Sequence, residues 1–189
     1  MVGDFTELGT TRRAGRTDDG MIENLVRNPS FEADSNGDGI PDEWAPLELM
    51  DQWETVQYLA DDTVARTGNA SVKITRGSIY GDCTGVGSWT QRNVVHEGAG
   101  QTFELSAYAR ASEPTIVQLY LFGHDPGWGD DFDGAASQAF EVGPEWKSIS
   151  HSNSLAPTVK QVHVVLARAV QTFGGDVWFD DVQLAEVKG

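Results

Sequence analysis

A single cysteine, Cys83, stands among 189 residues. The chain therefore cannot staple itself with an internal disulfide, and it offers no thiol spacing for a zinc site. No stretch approaches the ~20 apolar residues of a membrane span, so no membrane insertion is expected. The residues after Met1 are polar and lack the apolar core of a secretory leader. We expect either a leader already removed or a route that uses none. Basic residues are scarce, 13 against 29 acidic, for a net charge of -16. A field of that sign repels phosphates and excludes nucleic acid as an expected partner, while it favours solubility and divalent cations. There is also no long helical period, no internal repeat and no strained Ser turn of the hydrolase type.

What is present is alternation. In Thr102–Arg110, Phe103, Leu105, Ala107 and Ala109 face one side, and Glu104, Ser106, Tyr108 and Arg110 the other. Further strands are predicted over Trp53–Leu59, Ser71–Thr75, Ser88–Val95, Thr115–Phe122, Ser137–Val142, Trp146–His151, Gln161–Arg168 and Val177–Leu184. Gly-rich turns separate them, such as 66–69, 96–100, 142–144 and 173–176. Many short strands with such turns predict an all-β, antiparallel β-sandwich from residue 22 to 189.

Residues 1–21 read as an extended N-terminal arm. They are rich in Gly, Thr, Arg and Asp, with few apolar residues, too few to order the segment unaided. Phe5 and Leu8 are candidate apolar anchors. Arg12, Arg13 and Arg16 are candidate partners for acidic groups on an adjacent subunit.

The ordered stations along the sandwich resemble a known group. They are Asn24-Leu25-Val26-Arg27-Asn28-Pro29-Ser30-Phe31-Glu32 followed by Trp44; Gly68-Asn69-Ala70-Ser71-Val72-Lys73-Ile74; Gly100–Arg110; Glu145-Trp146-Lys147; and Phe179-Asp180-Asp181-Val182-Gln183-Leu184. The set resembles carbohydrate-binding modules with a galactose-binding-like jelly roll, found as accessory modules of secreted glycosidases. The first string also resembles one common in phage tail and other virion proteins. The resemblance implies a jelly roll whose first and last strands meet, and a role in binding or display instead of catalysis. Expected partners are other virion subunits or a second copy through the arm, and polysaccharide or cell-surface glycan on the sandwich. The expected location is the virion surface, with a secreted accessory module as the alternative.

Calcium is the expected cofactor, on two grounds. The resemblance implies a structural ion where first and last strands meet, held by Glu32 and Asp181 with carbonyls near Thr67–Ser71. Simple alternation puts Asp180 on the opposite face from Asp181. Independently, Asp34, Asn36, Asp38 and Asp42 stand at positions 1, 3, 5 and 9 of a loop with Gly39 at position 6, a spacing that wraps a hard cation. The closing Glu of an EF-hand is absent, and the loop resembles a thrombospondin type-3 or dockerin half-loop. An Asx-rich turn without metal is the competing reading.

Glycan recognition stacks aromatic rings on pyranose faces and uses amides, carboxylates and Arg for the hydroxyls. Tyr120 and Phe122 alternate with Val117, Leu119 and Leu121, and so face away from the core. Gln118 and His163 are expected on their face. Trp128, amid the acidic loop His124–Asp133, is the leading candidate; Trp53, Tyr58, Tyr80 and Trp89 are lesser ones. Trp44, Trp146 and Trp178 are assigned to the core or the sheet ends. Asp130, Asp131, Asp133 and His124 offer acid–base chemistry in type only, because nothing fixes two carboxylates across a cleft. We therefore expect no enzyme activity.

Overall fold

The computed structural model describes residues 23–48, 57–75, 87–95, 100–124, 135–169 and 175–188. The expected arm, and with it Phe5, Leu8, Arg12, Arg13 and Arg16, lies outside the described residues, as do Cys83, Trp53, Tyr80 and Trp128.

Ten strands are formed: β1 (Ala45–Glu48), β2 (Tyr58–Asp61), β3 (Ser71–Ile74), β4 (Gly87–Val95), β5 (Thr102–Ala111), β6 (Thr115–His124), β7 (Ala135–Val142), β8 (Lys147–Ser154), β9 (Gln161–Arg168) and β10 (Val177–Glu186). They make two five-stranded sheets, β1-β4-β9-β6-β7 and β2-β3-β10-β5-β8. Every pairing is antiparallel. No helix occurs among the described residues. The expected all-β sandwich is the observed fold.

The alternation read in β5 holds. Phe103, Leu105, Ala107, Ala109 and Ala111 are buried, and their neighbours face outward. On β6, Val117, Leu119 and Leu121 point into the same core, where they meet Val162, Val164 and Leu166 of β9 and Val177, Phe179 and Leu184 of β10. Each such fully buried side chain contributes on the order of 1.5–3 kcal/mol, which is the main cohesive term in a chain without a disulfide staple.

Residues 24–32 do not form the expected first strand. They cross the end of the sandwich as an irregular segment, hydrogen-bonded to the last strand from Leu25 N to Leu184 O at 2.9 Å and from Val182 N to Pro29 O at 2.9 Å. Side chains replace the rest of the ladder: Asn24 donates to Val182 O and accepts from Leu184 N. Asn28 and Phe31 have φ of 46° and 59°, a left-handed turn that ends any extended run. On its other side the segment is gripped by Gln91 of β4. That fully buried amide accepts from Arg27 N at 2.9 Å and donates to Arg27 O at 2.8 Å. The segment thus ties the two sheets together. The adjacency of first and last segments is as expected; the regular strand is not.

One aromatic assignment changes. Trp89 is fully buried, its ring in edge contact with Tyr58 at 5.8 Å, so it belongs to the core and not to a binding surface. Trp178 is only 7% exposed but lies on the outward face of β10, since Val177 and Phe179 take the core side. Trp44 is in the core, tilted against Phe31 and donating its indole N–H to Asn28 O.

Candidate functional site

The outward side of the first sheet is built by the period of β6. With Val117, Leu119 and Leu121 turned inward, Gln118, Tyr120 and Phe122 must turn outward. Pairing sets Phe122 opposite His163 of β9, and Tyr120 opposite Ser137 of β7. The four side chains grouped from sequence, Gln118, Tyr120, Phe122 and His163, are therefore on one face. The rings of Tyr120 and Phe122 lie parallel, 1° apart with centroids at 5.4 Å. The Tyr120 hydroxyl donates to Gln118 Oε1 at 2.7 Å. Burial pushes the phenol's pKa up, so the hydroxyl stays protonated at neutral pH and remains a donor. Asn93 N, in a bulge of β4 with φ 54°, donates to His163 Nδ1 at 3.1 Å. That makes Nδ1 an acceptor, so the neutral ring carries its proton on Nε2.

Not all of this face is open. Ser88 and Thr90 of β4 and Val165 and Ala167 of β9, which share it, are buried. The accessible part is a strip along β6 and the edge strand β7, where Ser137, Ala139 and Glu141 are exposed. It can offer flat apolar faces flanked by an amide, hydroxyls and a carboxylate.

A second constellation gathers around residues 66–70. Asp180 is fully buried and accepts from Arg66 N (2.7 Å), Thr67 N (3.2 Å) and Asp181 N (2.7 Å). Asp181 accepts from Ser30 Oγ, Thr67 Oγ1 and the Arg66 guanidinium. Glu32 accepts from Asn69 N and Ala70 N. Its carboxylate fills the space a Cβ on Gly68 would need, and Gly68 has φ 62°, so glycine is required there twice over. The strict alternation expected of Asp180 and Asp181 fails because β10 shifts register after Asp180 and Asp181 has φ 48°; both carboxylates address one loop. Burial raises the Asp180 pKa against its backbone donors. Burial also acts to raise Asp181, but hydrogen bonds from Thr67, Ser30 and Arg66 outweigh it and hold the pKa low.

The loop Asp34–Asp42 is an array of Asx turns. Asp34 accepts from Gly37 N and Gly39 N, Asn36 from Asp38 N, Asp38 from Ile40 N, and Asp42 from Ser35 N. In chemistry these donor sets suit a hard cation, being carboxylates, an amide and hydroxyls. In geometry, no three His, Cys, Asp or Glu side chains converge as a metal site among the described residues. The carboxylates named above are engaged by N–H and O–H groups of the protein.

The outward face of the second sheet gathers aromatic and cationic side chains that no sequence motif singles out. There the Arg66 guanidinium lies 3.4 Å from the Tyr108 ring centroid, and Trp178 donates its indole N–H to Asp61 Oδ2 at 2.8 Å. The period-2 pattern of β5 placed Tyr108 and Arg110 on this face; what it could not show was which cations of other strands would stack there.

No protein-family model matches the chain, and no curated protein matches it in sequence. Solved structures do. The enzymatically active domain of bacteriophage CBA120 tailspike protein 4 superposes with a TM-score of 0.63 at 13% identity over 87% of this chain, which spans only 21% of that one. The CBM22-1 xylan-binding domain of Paenibacillus barcinonensis Xyn10C gives 0.61 at 18% identity, covering 88% of this chain and 96% of that one. TmCBM61, solved with β-1,4-galactotriose, gives 0.57 at 16% identity over 87% and 99%. At such identities the likeness is one of fold, and the fold is the jelly-roll β-sandwich seen in carbohydrate-binding modules.

Proposed function

We propose that this chain is a non-catalytic, surface-displayed β-sandwich that binds glycan along the β6–β7 strip. The observation that carries the reading is the parallel pair Tyr120 and Phe122, turned outward beside Gln118 and His163. Two parallel, stacked rings present an apolar, partly exposed surface against which a sugar ring can pack. Gln118 Oε1 is already engaged by Tyr120, which leaves its amide N–H groups to meet hydroxyls. Trp128 belongs to the same proposal as a further ring. The solved neighbours that are xylan-binding or galactotriose-bound modules support it.

The setting we propose is a phage virion, as tail or capsid decoration with an adhesive role, attached through residues 1–21 to other virion subunits or to a second copy. The likeness to a tailspike domain favours it. The second reading, an accessory module of a secreted polysaccharide-degrading enzyme, is favoured by the likeness to the xylan-binding domain of Xyn10C. Deleting residues 1–21 separates them: the virion reading expects a folded domain that no longer assembles, and unchanged assembly would remove the arm as anchor.

Calcium belongs to the proposal as a stabiliser of the module's end, with Asp34, Asn36, Asp38 and Asp42 as one donor set and Glu32 and Asp181 as the other. It would neutralise part of a large negative charge. A ligand that binds only the native state raises its melting temperature. Calcium should therefore raise that temperature relative to chelator, and less so in Asp34→Asn. No difference between calcium and chelator would remove both sites.

A further inference from the structure

We propose a second binding site, for a carboxylate-bearing sugar, on the outward face of the other sheet, centred on Arg110 between Trp146 and Trp178. It does not depend on the β6–β7 strip, which belongs to the opposite sheet.

Strand register builds the site. Trp178 of β10 is paired with Lys73 of β3 on one side and Arg110 of β5 on the other. Ala109 pairs with Lys147, which sets Trp146, one residue earlier, level with Arg110. The result is a row across three strands and the residue that leads into β8, in which cation and ring alternate: Lys73, Trp178, Arg110, Trp146. Leu59, opposite Lys73 in β2, continues it to the far edge and is 42% exposed. The Arg110 guanidinium carbon stands 5.4 Å from the Trp178 ring centroid and 5.8 Å from that of Trp146. Lys73 Nζ is 5.0 Å from the Trp178 ring.

Arg110 differs from its neighbours in what it lacks. Lys73 pairs with Asp176 at 2.8 Å, Arg66 with Asp181, and Arg27 with Glu43. Arg110 has no ion pair among the described residues. Exposed cations need none, because water solvates them. Arg110 is half-buried, and its Nε is buried without a hydrogen-bond partner. A buried charged N–H left unpaired is costly, and this chain has 29 acidic residues from which to supply a partner. A guanidinium held between two indoles and not given a protein carboxylate is pre-organised for an external one, which its two terminal Nη groups can bind end-on through parallel N–H groups, the buried Nε lying out of a ligand's reach.

The groups around it define the rest of the ligand. Trp146 is half-buried at the sheet edge and can take the apolar face of a pyranose ring. Ser148, the next outward residue of β8, is exposed and offers a hydroxyl to ring oxygens. Trp178 is nearly covered and flanks Arg110 from the neighbouring strand. The nearby acids Asp61, Asp176 and Asp181 are each engaged by protein donors, which limits their repulsion of an anion. A ring, a carboxylate and hydroxyls together describe a uronic-acid unit.

The test titrates the full chain with tetragalacturonate, and in parallel with a neutral galactotetraose, following backbone amide shifts by NMR and heat by calorimetry. The acidic oligomer should bind, with shifts centred on Arg110, Trp146 and Ser148. Arg110→Gln should weaken it about tenfold or more, as loss of a charge-assisted pair requires, and Arg27→Gln, which removes a cation outside the row, should leave it unchanged. Trp146→Ala, at the sheet edge, gives an independent reading should Arg110→Gln impair folding; it should also weaken binding. No binding of the acidic oligomer by the wild-type chain would overturn the proposal. So would binding that both variants leave unchanged, in which case the row is a structural cation–π stack.

Discussion

Replacing Asp180 by alanine removes one carboxylate that closes three backbone contacts at once. Arg66 N, Thr67 N and Asp181 N lose their acceptor, at a site with no solvent exposure. A buried donor left without a partner costs about 1–3 kcal/mol, so three give about 3–9 kcal/mol if water does not reach them. Part is regained, because burying the carboxylate is itself unfavourable, as its raised pKa records. We expect a net loss of about 2–4 kcal/mol, or a melting temperature lower by about 5–15 °C for a chain of this size. Asp180→Asn keeps one oxygen but turns an amide N–H₂ toward a donor, and should fall between. Asp62→Ala, at an exposed neighbour, should stay within about 0.5 kcal/mol. Urea unfolding followed by tryptophan fluorescence reads all three. An Asp180→Ala protein within about 0.5 kcal/mol of wild type would refute the assignment of Asp180 as the anchor of residues 66–67.

Asp181, with a pKa held below 3.8 in the folded state, contributes stability that is present above that value and lost as the pH falls through the folded one. Asp181→Asn should therefore flatten the acid limb of stability below about pH 4; a limb of unchanged slope contradicts this. Asp180, shifted upward, acts in the opposite sense and does not contribute to that loss. Gln91→Ala strips Arg27 N and Arg27 O of their partners and should cost about 2–4 kcal/mol, read by thermal unfolding; a loss under about 0.5 kcal/mol would mean the segment is held by β10 alone.

Much of the sandwich was legible because strand period and burial agree. β5 and β6 alternate without a break, so their core and outward residues, Tyr120 and Phe122 included, follow from counting by two. The misreadings fall where side chains replace backbone pairing. Asn24 and Asn28 bond to backbone groups in place of a strand ladder, which hydrophobic pattern cannot reveal. Gln91 occupies a core position as a polar residue, and this obscured which side of β4 Trp89 takes. In β10, Val177 to Asp180 are all buried, and the shift after Asp180 cancels the parity that would separate it from Asp181. β1 is four residues long with Pro46 within it, too short and too irregular to stand out. The row Lys73, Trp178, Arg110 and Trp146 depends on register between strands distant in sequence, which no local pattern contains.

Glycan binding on the β6–β7 strip is tested most directly by screening the full chain on a glycan array, then measuring the best ligand by calorimetry against wild type, Tyr120→Ala and Phe122→Ala. Stacked rings at a partly exposed site make each contact worth about 1 kcal/mol or more, so each substitution should weaken binding about fivefold or more. Circular dichroism should remain that of the folded sandwich. An array without binding, or a ligand whose affinity neither substitution changes, would contradict the account.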